Sequence, residues 1–312
     1  MIQIILLILG TLLLIVQQFI YPFSHNVQFI IFFVGIILLG VPHGAADLLV
    51  ASKNEQNNTF SKIKFFAIYL GRLLLFSLIL WFFPVIGNII FILIASYHFG
   101  ETDLHKFKTD TVLGKLFVTS YGLLILSVIL INHFEDVRPI FEMFKSGEKN
   151  IDLINWIDAN RKLIMSCSGI LFFTSTFVYF LKNNNVEDKD KGDFLVQFVC
   201  LLVLLFSMPM VLGFSFYFIL WHSVLSLRNI VTYLRLGNAN KISTIVKQIS
   251  LYSFLAMAGI GIFGYSAFMY MSNNNAMAGY IFLGLAVLTA PHMEVMHHMY
   301  NNIRKVKPQN VA

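Results

Sequence analysis

Apolar residues fill long unbroken blocks along most of this chain, and short polar gaps separate them. The blocks run over 2–21, 27–50, 63–83, 85–104, 112–132, 161–181, 194–212, 214–235, 249–271 and 277–300. A hydrocarbon core takes about 20 apolar residues per helix. None of the blocks shows the period-two alternation of a barrel strand. The pattern predicts an all-α fold: a polytopic integral membrane helical bundle of about ten transmembrane helices, with eight as the lower bound. Residues 1–312 form a single transmembrane domain in this reading. The third and fourth blocks are parted only by Pro84 and nearby Gly87, and the seventh and eighth meet at Gly213. Pro42, Pro209 and Pro291 fall inside blocks, where they kink a helix and free backbone carbonyls toward a cavity. The first block has no basic lead and no small-residue cleavage site, so it reads as a retained helix.

Composition agrees: 57% of residues are hydrophobic and only 12% charged, with a mean hydropathy of +0.75. The net charge of +6 sits in the gaps as a topology signal and does not call for nucleic acid. With the N-terminus inside, all but five (Arg138, Lys145, Lys149, Arg161 and Lys162) of the 22 lysines and arginines fall on the inner side. That inner group includes Arg72 and other residues assigned to inner helix ends. The asymmetry predicts N-in, C-in in the cell's inner (cytoplasmic) membrane. Gap 133–160 is then extracytoplasmic. Its acids Glu135, Asp136, Glu142, Glu148, Asp152 and Asp158 and its apolar Ile151, Ile154, Trp156 and Ile157 suggest a helix lying on the surface. Residues 182–193 read as a solvated cytoplasmic charged loop. Cys167 and Cys200 fall in spans and imply neither a disulfide nor a thiolate site.

Against this apolar background four histidines stand out, His43, His98, His222 and His292. A histidine inside a membrane span is costly and is by default a functional-site candidate. With the topology above, all four sit in the inner half of even-numbered helices, which suggests an intramembrane metal site. Asp47 lies one turn after His43 and can hold its ring N–H, while Gly44 would let another helix or a ligand approach. Tyr97 and Phe99 flank His98 as candidate cavity walls, with Glu101 and Asp103 behind it as supporting carboxylates. Trp221 precedes His222 as a further wall, and Met293 follows His292. Arg228 is a topology charge or a partner for Asp47 or Glu101. His297 and His298 read as interfacial, and His25, His105 and His133 as solvated. An imidazole set without thiolates suits iron, zinc, copper or nickel alike. Gly259, Gly261 and Gly264 match a bare G-x-G-x-x-G string, but inside a span it reads as a helix-packing face.

The ordered set Gly-Val-Pro-His-Gly-Ala-Ala-Asp (40–47), Ser-Tyr-His-Phe-Gly-Glu-Thr-Asp (96–103), Leu-Trp-His-Ser (220–223) and Ala-Pro-His-Met (290–293) resembles the Brp/Blh family of β-carotene 15,15′-dioxygenases. The resemblance implies a membrane enzyme that uses Fe(2+) and O2 to cleave β-carotene, or a related carotenoid drawn from the bilayer, into two retinals. A rhodopsin is then the natural retinal acceptor. His43, His98 and His222 match family histidines taken as iron ligands. The family commonly carries another histidine four residues after the Trp-His one, where this chain has Ser226. His292 or a water then completes the site, or the activity has changed. Two other classes stay open: a non-catalytic carotenoid- or retinal-binding paralog, and a membrane transporter for a metal or small molecule.

Overall fold

The computed structural model describes residues 2–53, 59–142, 147–184, 186–236, 241–270 and 276–306. Among them the chain is helical throughout, with short turns. The elements are α1 (Ile2–Ile20), α2 (His25–Ser52), α3 (Thr59–Phe82), α4 (Pro84–Asp103), α5 (Val112–Ile131), α6 (Phe134–Glu142), α7 (Gly147–Ala159), α8 (Arg161–Lys182), α9 (Asp188–Ser207), α10 (Met210–Arg235), α11 (Ile242–Tyr270) and α12 (Ala276–Val306). Eight of these, namely α1 to α5, α8, α10 and α11, are long and apolar enough to cross a membrane. The two remaining apolar blocks fall on α9 and α12. The predicted polytopic helical membrane fold is the one observed.

Several boundaries move for identifiable reasons. The seventh and eighth blocks part at Pro209, not at Gly213. Proline cannot donate to a helix and drives the residue before it extended, and Met208 has φ −85° and ψ 146°. Residues 210–212 therefore open α10. The charged segment 182–193 is only partly a loop, because Asp188 and Asp190 start α9, where acids favour a helix N-terminus. The gap 133–160 holds two helices, α6 and α7, rather than one, and Lys145 lies outside the described residues. Arg138 fastens this pair, donating to Glu142 at 2.7 Å and to Asp158 at 2.8 Å. Arg72 is no helix-end charge. It sits midway along α3 and pairs with Glu294 of α12, as a cation at that depth requires.

Large side chains point both ways. Phe117, Phe172, Tyr179, Phe198, Tyr217 and Trp221 pack a core among α4, α5, α8, α9 and α10. Leu74, Phe177, Val203 and Phe254 are exposed on the outside, as expected of a surface that faces lipid. Helices in lipid gain little from hydrophobic burial and associate through close packing. The most extensive helix contact is between α4 and α5, and two glycines permit it. A Cβ on Gly100 would collide with the Val118 carbonyl oxygen, and one on Gly122 with the Ser96 carbonyl oxygen. Among the described residues, nothing stands within 4 Å of a Cβ built on Gly44, Gly259, Gly261 or Gly264.

The C-terminal ends of α2, α4, α10 and α12 gather at one end of the bundle. Lys53 donates to the Tyr233 carbonyl, and Arg304 pairs with Glu101 at 3.0 Å and with Asp110 at 3.3 Å. Gly122→Ala should therefore cost about 1–3 kcal/mol through overpacking. Its unfolding midpoint in detergent, measured beside Gly44→Ala as the harmless control, should be lower. Equal midpoints would refute the close-contact argument.

Candidate metal centre

Three of the four histidines arrive at the site beside a proline or on a π segment. Pro42 has no N–H to give, and the backbone just before it widens into a π-turn over Ile36–Gly40 that closes with Val41 N–H on Ile36 O. His43 follows directly. A longer π segment, Phe216–Ser223, carries His222. Such wide turns recur at functional sites because they turn side chains away from the regular helical face. His98 rides on α4 two residues before Gly100, where α5 presses close. His292 follows Pro291 within α12.

The four rings meet. Nε2 of His98 lies 3.1 Å from Nε2 of His222. Ligating atoms of His43, His98 and His222 all lie within 4.8 Å of one another, and all three residues are buried. His292 joins them, its ring centroid 5.0 Å from that of His43 and 4.9 Å from that of His98. Two bonds of about 2.1 Å to one ion allow up to about 4.2 Å between ligand atoms, so the closest pair is well within reach. Nδ1 of His98, Nδ1 of His222 and Nε2 of His292 are buried and have no hydrogen-bond partner. A buried imidazole nitrogen without a partner is costly. A divalent cation among the facing nitrogens would satisfy Nε2 of His292 and the close Nε2 atoms of His98 and His222, so this all-nitrogen donor set fits a first-row metal.

The carboxylates are distributed differently from expectation. Asp47 does not hold His43. Its Oδ1 takes the Nδ1–H of His292 at 2.7 Å, and its Oδ2 takes the Tyr69 hydroxyl at 3.0 Å. An ionised carboxylate only accepts, so Nδ1 of His292 carries the proton and Nε2 keeps its lone pair facing the other rings. A carboxylate orienting a ligating imidazole in this way is a recurrent feature of metal sites. Glu101 is fully buried, but its partners are Tyr97 at 3.3 Å, His297 at 2.9 Å and Arg304 at 3.0 Å. Arg304, not Arg228, is the guanidinium it meets. His297 is thus held by Glu101 and by Asn301 at 2.9 Å instead of lying free at the interface, while His298 is largely exposed. Asp103 meets neither histidine and accepts from Tyr121, Tyr217 and Trp221.

Of the expected cavity walls, Phe99 stands against His222 with centroids 4.8 Å apart. Met293 is half-buried beside His292. Tyr97 and Trp221 instead spend their polar tips on Glu101 and Asp103. Ser226 is fully buried one turn beyond His222. Two contributors went unseen in the sequence. Tyr69 is one tyrosine in an apolar run, with nothing to mark it. Phe218 is one phenylalanine among 32, yet its ring lies 6.0 Å from those of both His43 and His222.

A family model described as beta-carotene 15,15'-dioxygenase matches residues 34–300, a stretch that includes all four histidines. No curated protein and no solved structure matches the chain.

The Asp47–His292 pair generates a direct expectation. Asp47→Asn should lower metal affinity about 10- to 100-fold, and Tyr69→Phe should lower it less, both read by competition titration on the purified protein. An unchanged affinity in Asp47→Asn would take His292 out of the ligand set.

Proposed function

Since the chain belongs to the beta-carotene 15,15'-dioxygenase family, we propose that it is a membrane-embedded, iron-dependent dioxygenase that cleaves β-carotene, or a close relative, at its central double bond. The balanced reaction adds one O2 across one C=C and releases two aldehydes, here two retinals. The observation that carries the reading is the convergence of buried imidazoles from α2, α4, α10 and α12 on one point.

His43, His98, His222 and His292 would hold the metal. Fe(2+), when bound, supplies the redox-active centre at which O2 reacts. The residues themselves do the rest. Four neutral donors add no charge of their own and leave the cation's field uncancelled at the reaction point. His292 takes the place left by Ser226, kept in the right tautomer by Asp47 and, through it, by Tyr69. No side-chain nucleophile or general base is needed.

The substrate is a hydrocarbon dissolved in the bilayer, which accounts for an enzyme built almost wholly of apolar helices. Phe214 and Phe218 stack with centroids 5.5 Å apart and planes 4° from parallel, and Phe218 continues the stack onto His222. Phe32 links this pair outward to Phe33, which is exposed on the lipid side. Flat aromatic faces in file suit a flat polyene and would lay its central bond alongside the histidines. An N-in, C-in orientation in the cytoplasmic membrane would put the centre in the inner leaflet, with a rhodopsin as a fitting recipient of retinal.

Expression in β-carotene-accumulating cells tests the proposal through colour loss and retinal measured by chromatography. His43→Ala, His98→Ala and His222→Ala should each abolish retinal. Ser226→His, run alongside, asks whether a histidine at the family position adds to the site. Retinal unchanged in any alanine variant removes that residue from the ligand set. Purified wild-type protein that retains iron and carotenoid yet forms no product under air would replace the enzyme by a carotenoid-binding protein.

A further inference from the structure

We propose that Asp103 is a positioning residue that sets the separation between His98 and His222, an inference that rests on the metal-centre reading above. Asp103 ends α4, five residues beyond His98, and is buried. A single oxygen, Oδ2, accepts from the Tyr121 hydroxyl at 2.8 Å, the Tyr217 hydroxyl at 3.1 Å and the Trp221 indole N–H at 2.9 Å. Tyr121 belongs to α5, and Tyr217 and Trp221 belong to α10. One carboxylate oxygen thus ties the helix that carries His98 to the helix that carries His222.

The geometry of the tie makes it more than a generic contact. Tyr217 and Trp221 are four residues apart and reach the same atom, which fixes both the rotation of that stretch and its position along the axis. The next residue along an α-helix lies about 100° further round, and in a wider π turn somewhat less. With Trp221 turned to Asp103, the following residue, His222, is turned to the centre. This stretch is the π segment Phe216–Ser223, whose uncommon backbone leaves its register to be set by side chains.

A second observation points the same way. Ligating histidines are usually oriented by an acceptor on the nitrogen that faces away from the metal. His292 has one in Asp47. His98 and His222 have none, because Nδ1 of each is buried without a partner. Their aim must therefore come from the placement of the helices, and Asp103 is the polar link between those two helices at this level. Its other oxygen, Oδ1, has no partner among the described residues, and Asp103 helps to line a small cavity with Gln3, Gln197, Tyr121 and Trp221. An amide NH2 fits that side, so asparagine can present its one oxygen to all three donors.

The test uses purified full-length protein in detergent, loaded with Co(2+) as an optical probe, reading affinity by competition and ligand geometry from the visible absorption bands. Asp103→Leu should weaken binding about 10- to 100-fold and shift the bands. Asp103→Asn should stay within about threefold of wild type with little shift, a rescue that a purely charge-based role would not give. Should Asp103→Leu not fold, Trp221→Phe removes one N–H and keeps a ring, and it should move affinity and bands in the same direction. Wild-type affinity and bands in a folded Asp103→Leu, or in Trp221→Phe, would overturn the positioning role alone. A wild-type protein that binds no metal would overturn the metal centre itself.

Discussion

An imidazole inside a lipid-embedded bundle carries two nitrogens that hydrocarbon cannot satisfy, and that constraint organises this molecule. Four such rings are buried here, and they are gathered so that ligating atoms of His43, His98 and His222 lie within 4.8 Å of one another with His292 beside them. His98 and His222 approach to 3.1 Å through Nε2, a distance that makes sense only if a proton or a cation is shared between them. Keeping them there requires helices that deviate from regularity. The π-turns before His43 and around His222 and the prolines before His43 and His292 all serve that end. So do the glycines that let α5 press against α4.

Three buried carboxylates, Asp47, Glu101 and Asp103, take up three separate tasks around this cluster. Asp47 orients a ring directly. Glu101 gathers Tyr97, His297 and Arg304 and so joins the ends of α4 and α12, the helices of His98 and His292. Asp103 joins α4 to α10, the helices of His98 and His222. A charge buried in an apolar setting persists only with partners, and each acid has found a different set. His98 is thus braced from both sides along α4, by Glu101 toward α12 and by Asp103 toward α10.

Ser226 is buried one turn past His222 but offers no strong donor to a metal. His292, from a helix distant in sequence, lies against His43 and His98 and is held by Asp47.

The membrane class, the helical fold and the candidate histidines were legible in the sequence, because hydropathy is a property of consecutive residues and a histidine in an apolar run is conspicuous by itself. The helix boundary at Pro84 was legible. A boundary was misjudged at Gly213, where glycine sits comfortably within α10 and Pro209 makes the break. Partnerships were not legible. One-turn spacing suggested Asp47 for His43, yet Asp47 reaches across to His292, and Trp221 proved to be a donor to Asp103. Side-chain direction in a bundle depends on helix rotation and on which helix lies opposite, and neither is encoded in local spacing. The sequence by itself determined which groups had to be satisfied away from water. Only the tertiary structure decided which of them satisfies which, because that choice is made by packing between helices far apart in the chain.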